Sequence, residues 1–383
     1  MKLKALLSVI GALTLITPCA AQAPSTLNTD PFTYLFPKPT GKNGYEEWTF
    51  AGTLPKRSKA LEEANQTTPR TLTQMRRTLS DPLIVQAREI WKVGMAKPMS
   101  SPRSPDSFDE NTLFPELALF RNMGRVLRME IYVAFAEGRV SDALDTLGAT
   151  LDFGYRIQTD TLISGLVGIA INSMVLKNVE EFLGQLSVKN CDSLSRLVDA
   201  WLQRPSPLVK VMEAERRGTE SLLRKKKGKG AKAFEELLGP SDPDNPASRE
   251  TVMRFFKENP GSQDALIDQT IALANTYYRA VIIELSSPAY LRKPIPEPET
   301  DSLAGELFAM LRSSIDTVAK RYDEERARMQ RLGIHAAIRK YKWQWNRLPE
   351  TLDVLKRDDL TLDPLTGDRF RYEREGETYR LGD

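Results

Sequence analysis

The most regular feature of the chain is a series of apolar pairs at helical spacing between Leu162 and Leu186. Such a wide apolar face requires burial on more than one side, and Gly165 and Gly168 would let a neighbouring helix approach closely. The apolar run from Leu162 to Leu176 contains polar residues and is shorter than the ~20 residues that a bilayer requires. The pattern therefore predicts a buried central helix and no transmembrane helix in the mature chain.

Other stretches also have apolar residues at helical spacing. The stretches from Phe120 to Ala134 and from Leu144 to Tyr155 flank a short break, and residues 262–285 and 302–343 continue the pattern. In the last stretch, the segment KRYDEERARMQR mixes charges three and four residues apart, which predicts a solvated helix face. We predict a mainly α protein, built as an antiparallel helical bundle or a helical-hairpin array.

At the end of the chain, apolar residues recur every two residues instead of at helical spacing. Between Phe370 and Leu381, apolar and charged residues alternate on both sides of Gly376, which is typical of two strands and a turn. An isolated two-stranded hairpin is marginally stable in water. We therefore predict a small C-terminal β-hairpin that packs on the final helix, around Tyr341, Trp343 and Trp345.

These patterns divide the chain into four segments. They are a signal peptide at 1–23, an extended aromatic lead-in at 24–80, a helical domain at 81–345 and a C-terminal turn and β-hairpin at 346–383. Prolines, glycines and aromatic residues without a helical period indicate the extended lead-in. Basic and proline-rich runs within residues 203–262 predict a flexible connection inside the helical domain.

The first residues have the features of a secretory signal. Two lysines precede an apolar run from Ala5 to Ile16, and small residues then lead to Ala23. This order is typical of a cleaved signal peptide, so we expect an extracytoplasmic protein, periplasmic or secreted, that is cleaved near Ala23. An uncleaved N-terminal anchor is the alternative. Cleavage would remove Cys19 and leave Cys191, so we expect no intrachain disulfide and a buried, unreactive thiol.

Composition narrows the possible chemistry. The formal net charge of +3 includes the two lysines of the N-terminal segment, so the remainder is near neutral, unlike a dedicated nucleic-acid-binding domain. His335 is the one histidine, and its helical context is more typical of packing than of catalysis. The sequence lacks the motifs of histidine- or cysteine-rich zinc sites, phosphate-binding loops and serine hydrolases. We expect no cofactor and no resident metal.

One pair of acids is a candidate for catalysis. Glu46 and Glu47 lie between Tyr45 and Trp48. Glycoside hydrolysis requires two carboxyl groups, and sugars stack on aromatic rings. The cluster is therefore consistent with a secreted, carboxylate-dependent hydrolase that acts on glycans. Adjacent glutamates are also typical of a plain protein surface.

A basic run is the candidate binding segment. Its six positive residues are Arg224, Lys225, Lys226, Lys227, Lys229 and Lys232. Outside the cytoplasm, such a run would bind anionic lipid headgroups, acidic cell-wall polymers or extracellular nucleic acid. A flexible, solvated loop is the alternative, and Gly228 and Gly230 favour it.

The segment AFAEGRVSDALDTLGATLDFG resembles a helical hairpin of the tetratricopeptide-repeat type. Gly138 and Ala143 have the spacing of the turn glycine and the small packing residue of that repeat, and Leu147 falls on the next large position. The resemblance implies a pair of antiparallel helices.

The tail RLPETLDVLKRDDLTLDPLTGDRFRYEREGETYRLGD is similar to the end of type II secretion pseudopilins, which also have a helix, a Pro-x-x-Leu turn, an Asp-Pro loop and a closing strand. That family often binds calcium in this region, so the resemblance makes Asp363 and Asp368 candidate metal ligands. The whole chain also resembles uncharacterised secreted bacterial proteins with such a tail, which implies export and no particular activity.

These features together predict an exported helical binding or scaffold protein without catalytic activity. The expected partner is a protein or a component of the cell envelope, and the secreted glycan hydrolase is the alternative. Capture of a partner from an envelope extract would favour binding. Turnover of a glycan that is lost in Glu46→Gln or Glu47→Gln would favour the hydrolase.

Overall fold

The structure is a computed structural model that describes residues 39–382, except for residues 67–69, 109–111, 159–160, 239–245, 296, 299 and 313–314. Fifteen α-helices and a two-stranded antiparallel sheet are present in this part of the chain, which confirms the predicted mainly α fold with a small C-terminal β-hairpin. The predicted signal peptide lies outside the described residues.

The helices are α1 Gly44–Thr53, α2 Lys59–Gln66, α3 Leu72–Leu79, α4 Pro82–Met95, α5 Glu116–Ala136, α6 Val140–Ile157, α7 Leu162–Phe182, α8 Val188–Leu202, α9 Leu208–Arg224, α10 Gly230–Leu238, α11 Pro246–Glu258, α12 Gln263–Leu285, α13 Leu303–Leu311, α14 Ile315–Trp345 and α15 Asp358–Thr361, and the strands are β1 Arg371–Glu375 and β2 Thr378–Gly382.

Helix α7 is the predicted central helix. It begins after Thr161, whose side chain accepts a hydrogen bond from the Ser164 amide in a capping box. Helices α5, α6 and α14 pack against it, and a Cβ atom added at Gly168 would collide with the Gly154 carbonyl oxygen of α6. The segment Leu162–Gln185 is long and apolar enough to cross a membrane, with a mean hydropathy of 1.5, and 61% of the window tested is buried inside the fold. A core helix of a soluble protein meets the same criteria, so this finding does not identify a membrane span.

The helices enclose four apolar clusters. One surrounds Trp48 between α1, α4 and α5, and a second surrounds Val198 between α6, α8 and α14. The third surrounds Tyr278 between α9, α12 and α13, and the fourth surrounds Phe234 between α10, α11 and α12. Because α7 contributes to three of the four, it connects the N-terminal and C-terminal halves of the core.

The prediction of an extended lead-in at residues 24–80 is wrong for its described part, because α1, α2 and α3 occupy most of it. The Asn43 side chain accepts a hydrogen bond from the Tyr45 amide, at 3.0 Å, and starts α1. Thr71 and Gln74 form a capping box at the start of α3. Capping residues therefore indicate these short helices better than apolar spacing does.

The prediction of a flexible connection at residues 203–262 is also wrong for most of its length, since α9, α10 and α11 lie there. The rings of Phe234 and Phe256 stack with centroids 3.8 Å apart and hold α10 against α11. Most large apolar residues of α10 and α11 face the fourth cluster, whereas the first turn of α9 faces the third cluster.

The C-terminal hairpin pairs Glu375 with Thr378 next to the turn. Its predicted packing around Trp343 and Trp345 is wrong, because both indoles are more than half exposed. The hairpin instead contacts α14 about two turns earlier, where the Tyr379 hydroxyl lies 2.7 Å from His335 Nδ1.

Candidate functional site

A groove lies between the start of α10, the end of α11 and the start of α12. Its volume is about 570 Å³, within the range of roughly 300–1,000 Å³ that is typical of small-molecule sites. The lining residues are Gly228, Gly230, Ala231, Phe256, Lys257, Pro260, Gly261, Gln263 and Asp264. We call this feature the α10–α12 groove.

Three glycines leave one side of the groove open. Gly228 and Gly230 have φ angles of +69° and +72°, in the left-handed region that favours glycine. No atom lies within 4 Å of a Cβ atom placed at Gly228, Gly230 or Gly261. A ligand could therefore approach the backbone at all three positions.

Two helix N-termini meet at the groove. Helix α10 begins at Gly230 and α12 begins at Gln263, and both residues line the cavity. The first amides of a helix have no partner within the helix, and the aligned peptide dipoles favour a negative charge there. The Asp264 carboxylate is already engaged, because its Oδ1 accepts a hydrogen bond from the Gly228 amide at 2.9 Å.

Lysines supply the positive charge of the groove. Lys257 is part of the lining, Lys229 lies between the two left-handed glycines, and Lys232 lies in the first turn of α10. Lys229 and Lys232 are exposed. In the described part of the chain, none of the three has an acidic side chain within ion-pairing distance.

The other members of the predicted basic run are engaged in the fold. Arg224 pairs with Glu220 at 2.8 Å, and Lys227 donates to Asp268 at 2.6 Å. The Lys225 ammonium donates to the carbonyl oxygens of Ser107 and Phe108, and the Lys226 side chain is 3% exposed. Only part of the run is thus available to a ligand, and the prediction of a free six-residue basic loop is wrong.

The structure also locates Glu46 and Glu47, the candidate catalytic pair. Both lie in the first turn of α1. The Glu46 carboxylate accepts hydrogen bonds from the Thr40 hydroxyl and amide, each at 2.7 Å, and these bonds lower its pKa. The Glu47 carboxylate is buried and pairs with Lys97. Adjacent helical residues diverge by about 100°, so the two acids serve separate structural contacts.

The aromatic neighbours of this pair belong to the core. Trp48 is fully buried, and the Tyr45 hydroxyl donates to Glu116 at 2.7 Å. Tyr45 and Trp48 are therefore buried in the core and do not offer a stacking surface for a sugar beside Glu46 and Glu47.

Asp363 and Asp368 form a turn. Asp363 is buried, and its Oδ1 accepts a hydrogen bond from the Leu365 amide at 2.8 Å. The Asp363 amide donates to the Asp368 carbonyl oxygen at 2.7 Å, which closes the loop. Across the described ranges, no group of three or more histidine, cysteine, aspartate or glutamate side chains is arranged to hold a metal ion.

His335 and Cys191 are both packing residues. Burial lowers the pKa of His335 to about 4, so its ring is neutral at ordinary pH beside Tyr379. Cys191 is fully buried, and burial raises the pKa of its thiol to about 11. The expected buried, unreactive thiol is confirmed.

A buried polar cluster is the feature that sequence reasoning missed. The Glu325 carboxylate accepts hydrogen bonds from Asn172 Nδ2 at 2.6 Å and from Gln158 Nε2 at 3.0 and 3.1 Å. Burial raises the pKa of Glu325 to about 7. The prediction of a solvated face in this part of α14 holds for Lys320 and Arg321, which are exposed, and is wrong for Asp323 and Glu325, which are buried. Asn172, a polar residue within an apolar helix, was the available signal.

No family model, curated protein or solved structure matches this chain.

Proposed function

We propose that this protein is an exported helical binding protein that holds an acidic group of a cell-envelope polymer in the α10–α12 groove. One observation carries the proposal: lysines without acidic partners flank a cavity at which two helices begin. Lys229, Lys232 and Lys257 supply formal charge, and the starts of α10 and α12 supply partial positive charge.

The lining favours binding over catalysis. The titratable groups of the lining are Lys257 and Asp264, and the Asp264 carboxylate is engaged with the Gly228 amide. General acid–base catalysis requires a pair of groups that can exchange protons with the substrate, and this lining does not supply such a pair.

The shape of the groove is suited to one segment of a longer ligand. Phe256 and Pro260 provide apolar walls next to the open glycines. The exposed Lys229 and Lys232 extend the positive charge beyond the cavity itself. An acidic polymer could place one charged group inside the groove and neighbouring charges on these lysines.

Binding of labelled poly-glutamate and polyphosphate, followed by fluorescence anisotropy, tests the proposal. Lys229→Gln and Lys257→Gln should each weaken binding about tenfold, the loss expected when one charge-assisted hydrogen bond is removed. The matched control is Lys189→Gln, which removes an exposed lysine from α8. Equal affinity of all three variants would contradict the proposal.

A steric variant separates the groove from general electrostatic attraction. Gly261 faces open space, so Gly261→Leu would fill the groove without changing any charge. We expect Gly261→Leu to lose binding of the polymer in the groove. The weaker, salt-dependent attraction of the polymer to the exposed lysines should remain. Full binding by Gly261→Leu would show that the lysines attract the polymer without the groove.

A further inference from the structure

A second group of positive charges lies on α5. Arg121, Arg125 and Arg128 are four and three residues apart and therefore share one face of the helix, with neighbouring Cβ atoms about 5–6 Å from each other. We call these three residues the arginine face. Arg70, which precedes α3, lies near enough for its charge to act on Arg125.

Two of the three arginines, Arg125 and Arg128, are held in place by neutral partners. Arg125 Nη1 donates to Asn122 Oδ1 at 2.9 Å, and Arg128 Nε donates to Asn178 Oδ1 at 3.2 Å. Asn178 of α7 is 0% exposed, and its Nδ2 donates back to the Arg128 carbonyl oxygen at 2.9 Å. These contacts orient the guanidinium groups without neutralising them.

Both acids of α5 are committed elsewhere. Glu116 pairs with Arg103 and Glu130 pairs with Arg88, each through two hydrogen bonds. Across the described residues, no carboxylate forms an ion pair with any member of the arginine face. The face therefore carries uncompensated positive charge.

Burial, and after it the charge of neighbouring arginines, lowers the pKa of two groups at this face. Partial burial lowers the pKa of Arg125, and the charges of Arg121 and Arg70 lower it further. Partial burial, followed by the charge of Arg128, likewise lowers the pKa of Arg70. An anion placed among these groups would offset both the repulsion between the arginines and the energetic cost of their partial burial.

We propose that the arginine face binds a phosphate-type dianion. A phosphate group carries close to two negative charges and several strong acceptor oxygens, which several guanidinium groups can share. The planar fork of arginine matches phosphate geometry with two parallel hydrogen bonds. The same dianion occurs as free phosphate and as the phosphomonoester headgroup of phosphatidic acid.

Calorimetric titration with inorganic phosphate tests the site in the full chain. The background protein carries Lys229→Gln and Lys257→Gln, so that the groove does not contribute. At constant ionic strength, phosphate should bind with a measurable Kd, and Arg125→Gln and Arg128→Gln should each weaken it by about tenfold or more. Arg374→Gln, an exposed residue of β1, is the control and should leave Kd unchanged.

Arg125→Lys provides a graded variant that keeps the charge but loses the guanidinium fork. It should recover part of the affinity that Arg125→Gln loses. Equal Kd values for Arg125→Lys and Arg125→Gln would overturn the role of the charge. Urea unfolding of each variant verifies that it is folded under the conditions of the titration.

A flotation experiment distinguishes the two sources of phosphate. The probe is a vesicle made of equal parts of phosphatidylcholine and phosphatidic acid. Loss of flotation in Arg125→Gln but not in Arg374→Gln would assign a lipid headgroup to the site, whereas phosphate binding without flotation would assign a free phosphate. Absence of both, or equal behaviour of Arg125→Gln and Arg374→Gln, would overturn the proposal.

Discussion

Two buried glutamates of this protein are stabilised in different ways. Glu116 is 1% exposed and Glu325 is 3% exposed. Glu116 accepts hydrogen bonds from the Arg103 guanidinium and from the Tyr45 hydroxyl. Glu325 accepts hydrogen bonds from the amide groups of Asn172 and Gln158, and no cation among the described residues pairs with it.

The two sites compensate the negative charge of a buried carboxylate in different ways. At Glu116 the opposite charge of Arg103 balances the carboxylate, whereas at Glu325 burial raises the pKa to about 7, so that a proton balances it over much of the acidic range. Gln158 Oε1 and Asn172 Oδ1 are buried without a hydrogen-bond donor. A protonated Glu325 carboxyl has one O–H donor, which could serve one of these two acceptors.

The largest expected effect comes from removing the cation beside Glu116. Arg103→Met would leave a buried carboxylate without its opposite charge, and we expect the free energy of unfolding to fall by about 3–5 kcal/mol. Urea denaturation at neutral pH measures this change. Arg76→Met, which breaks an exposed pair with Glu137, should change stability by less than about 1 kcal/mol. Similar losses in both variants would show that burial of Glu116 has no energetic role.

The next effect concerns Glu325 and depends on pH. The folded state binds the Glu325 proton more tightly than the unfolded chain does, because the pKa rises from 4.5 to about 7 on folding. The stabilisation is complete below pH 4.5 and is lost as pH rises through 7. Relative to the native protein, Glu325→Gln should therefore be similar in stability at low pH and about 3 kcal/mol more stable above neutrality.

The pH dependence of His335 has the opposite sign. Burial lowers its pKa from 6.5 to about 4, so its contribution to stability is present above pH 6.5 and is lost as pH falls through 4. Glu325 and His335 change the free energy of unfolding in opposite directions over the pH range where both titrate. The free energy of unfolding of the native protein will therefore depend only weakly on pH in that range. The difference between the native protein and Glu325→Gln isolates Glu325, and a difference that is independent of pH would contradict the raised pKa.

Local patterns were sufficient to predict the central helix and the hairpin. The apolar pairs of α7 and the alternation around Gly376 are sequence-local signals with one physical meaning each. Helices α9 to α11 were missed, because α10 and α11 depend on the Phe234–Phe256 contact between separate helices and α9 depends on packing against α12. The packing that stabilises them is tertiary and has no local signature.

The same limit applies to the candidate sites. The positive charge around Lys229 was visible in the sequence, but the neutralisation of Lys227 by Asp268 of α12 was not. The spacing of Arg121, Arg125 and Arg128 was also visible. Their lack of acidic partners was not, since it depends on the capture of both α5 glutamates by arginines of other segments.

The smallest expected effects come from two tyrosine hydroxyls next to the buried acids. Tyr45→Phe removes a hydrogen bond to the charged Glu116 and should lower the free energy of unfolding by about 2 kcal/mol. Tyr322→Phe removes a hydrogen bond of 3.0 Å to the neutral Gln158 carbonyl oxygen and should lower it by about 1 kcal/mol. Both substitutions retain the aromatic ring, so urea denaturation at one neutral pH compares the hydroxyls directly. A larger loss for Tyr322→Phe would mean that the cluster around Glu325 depends on this hydrogen bond more than the ion pair at Glu116 depends on Tyr45, which would reverse the comparison between the two sites.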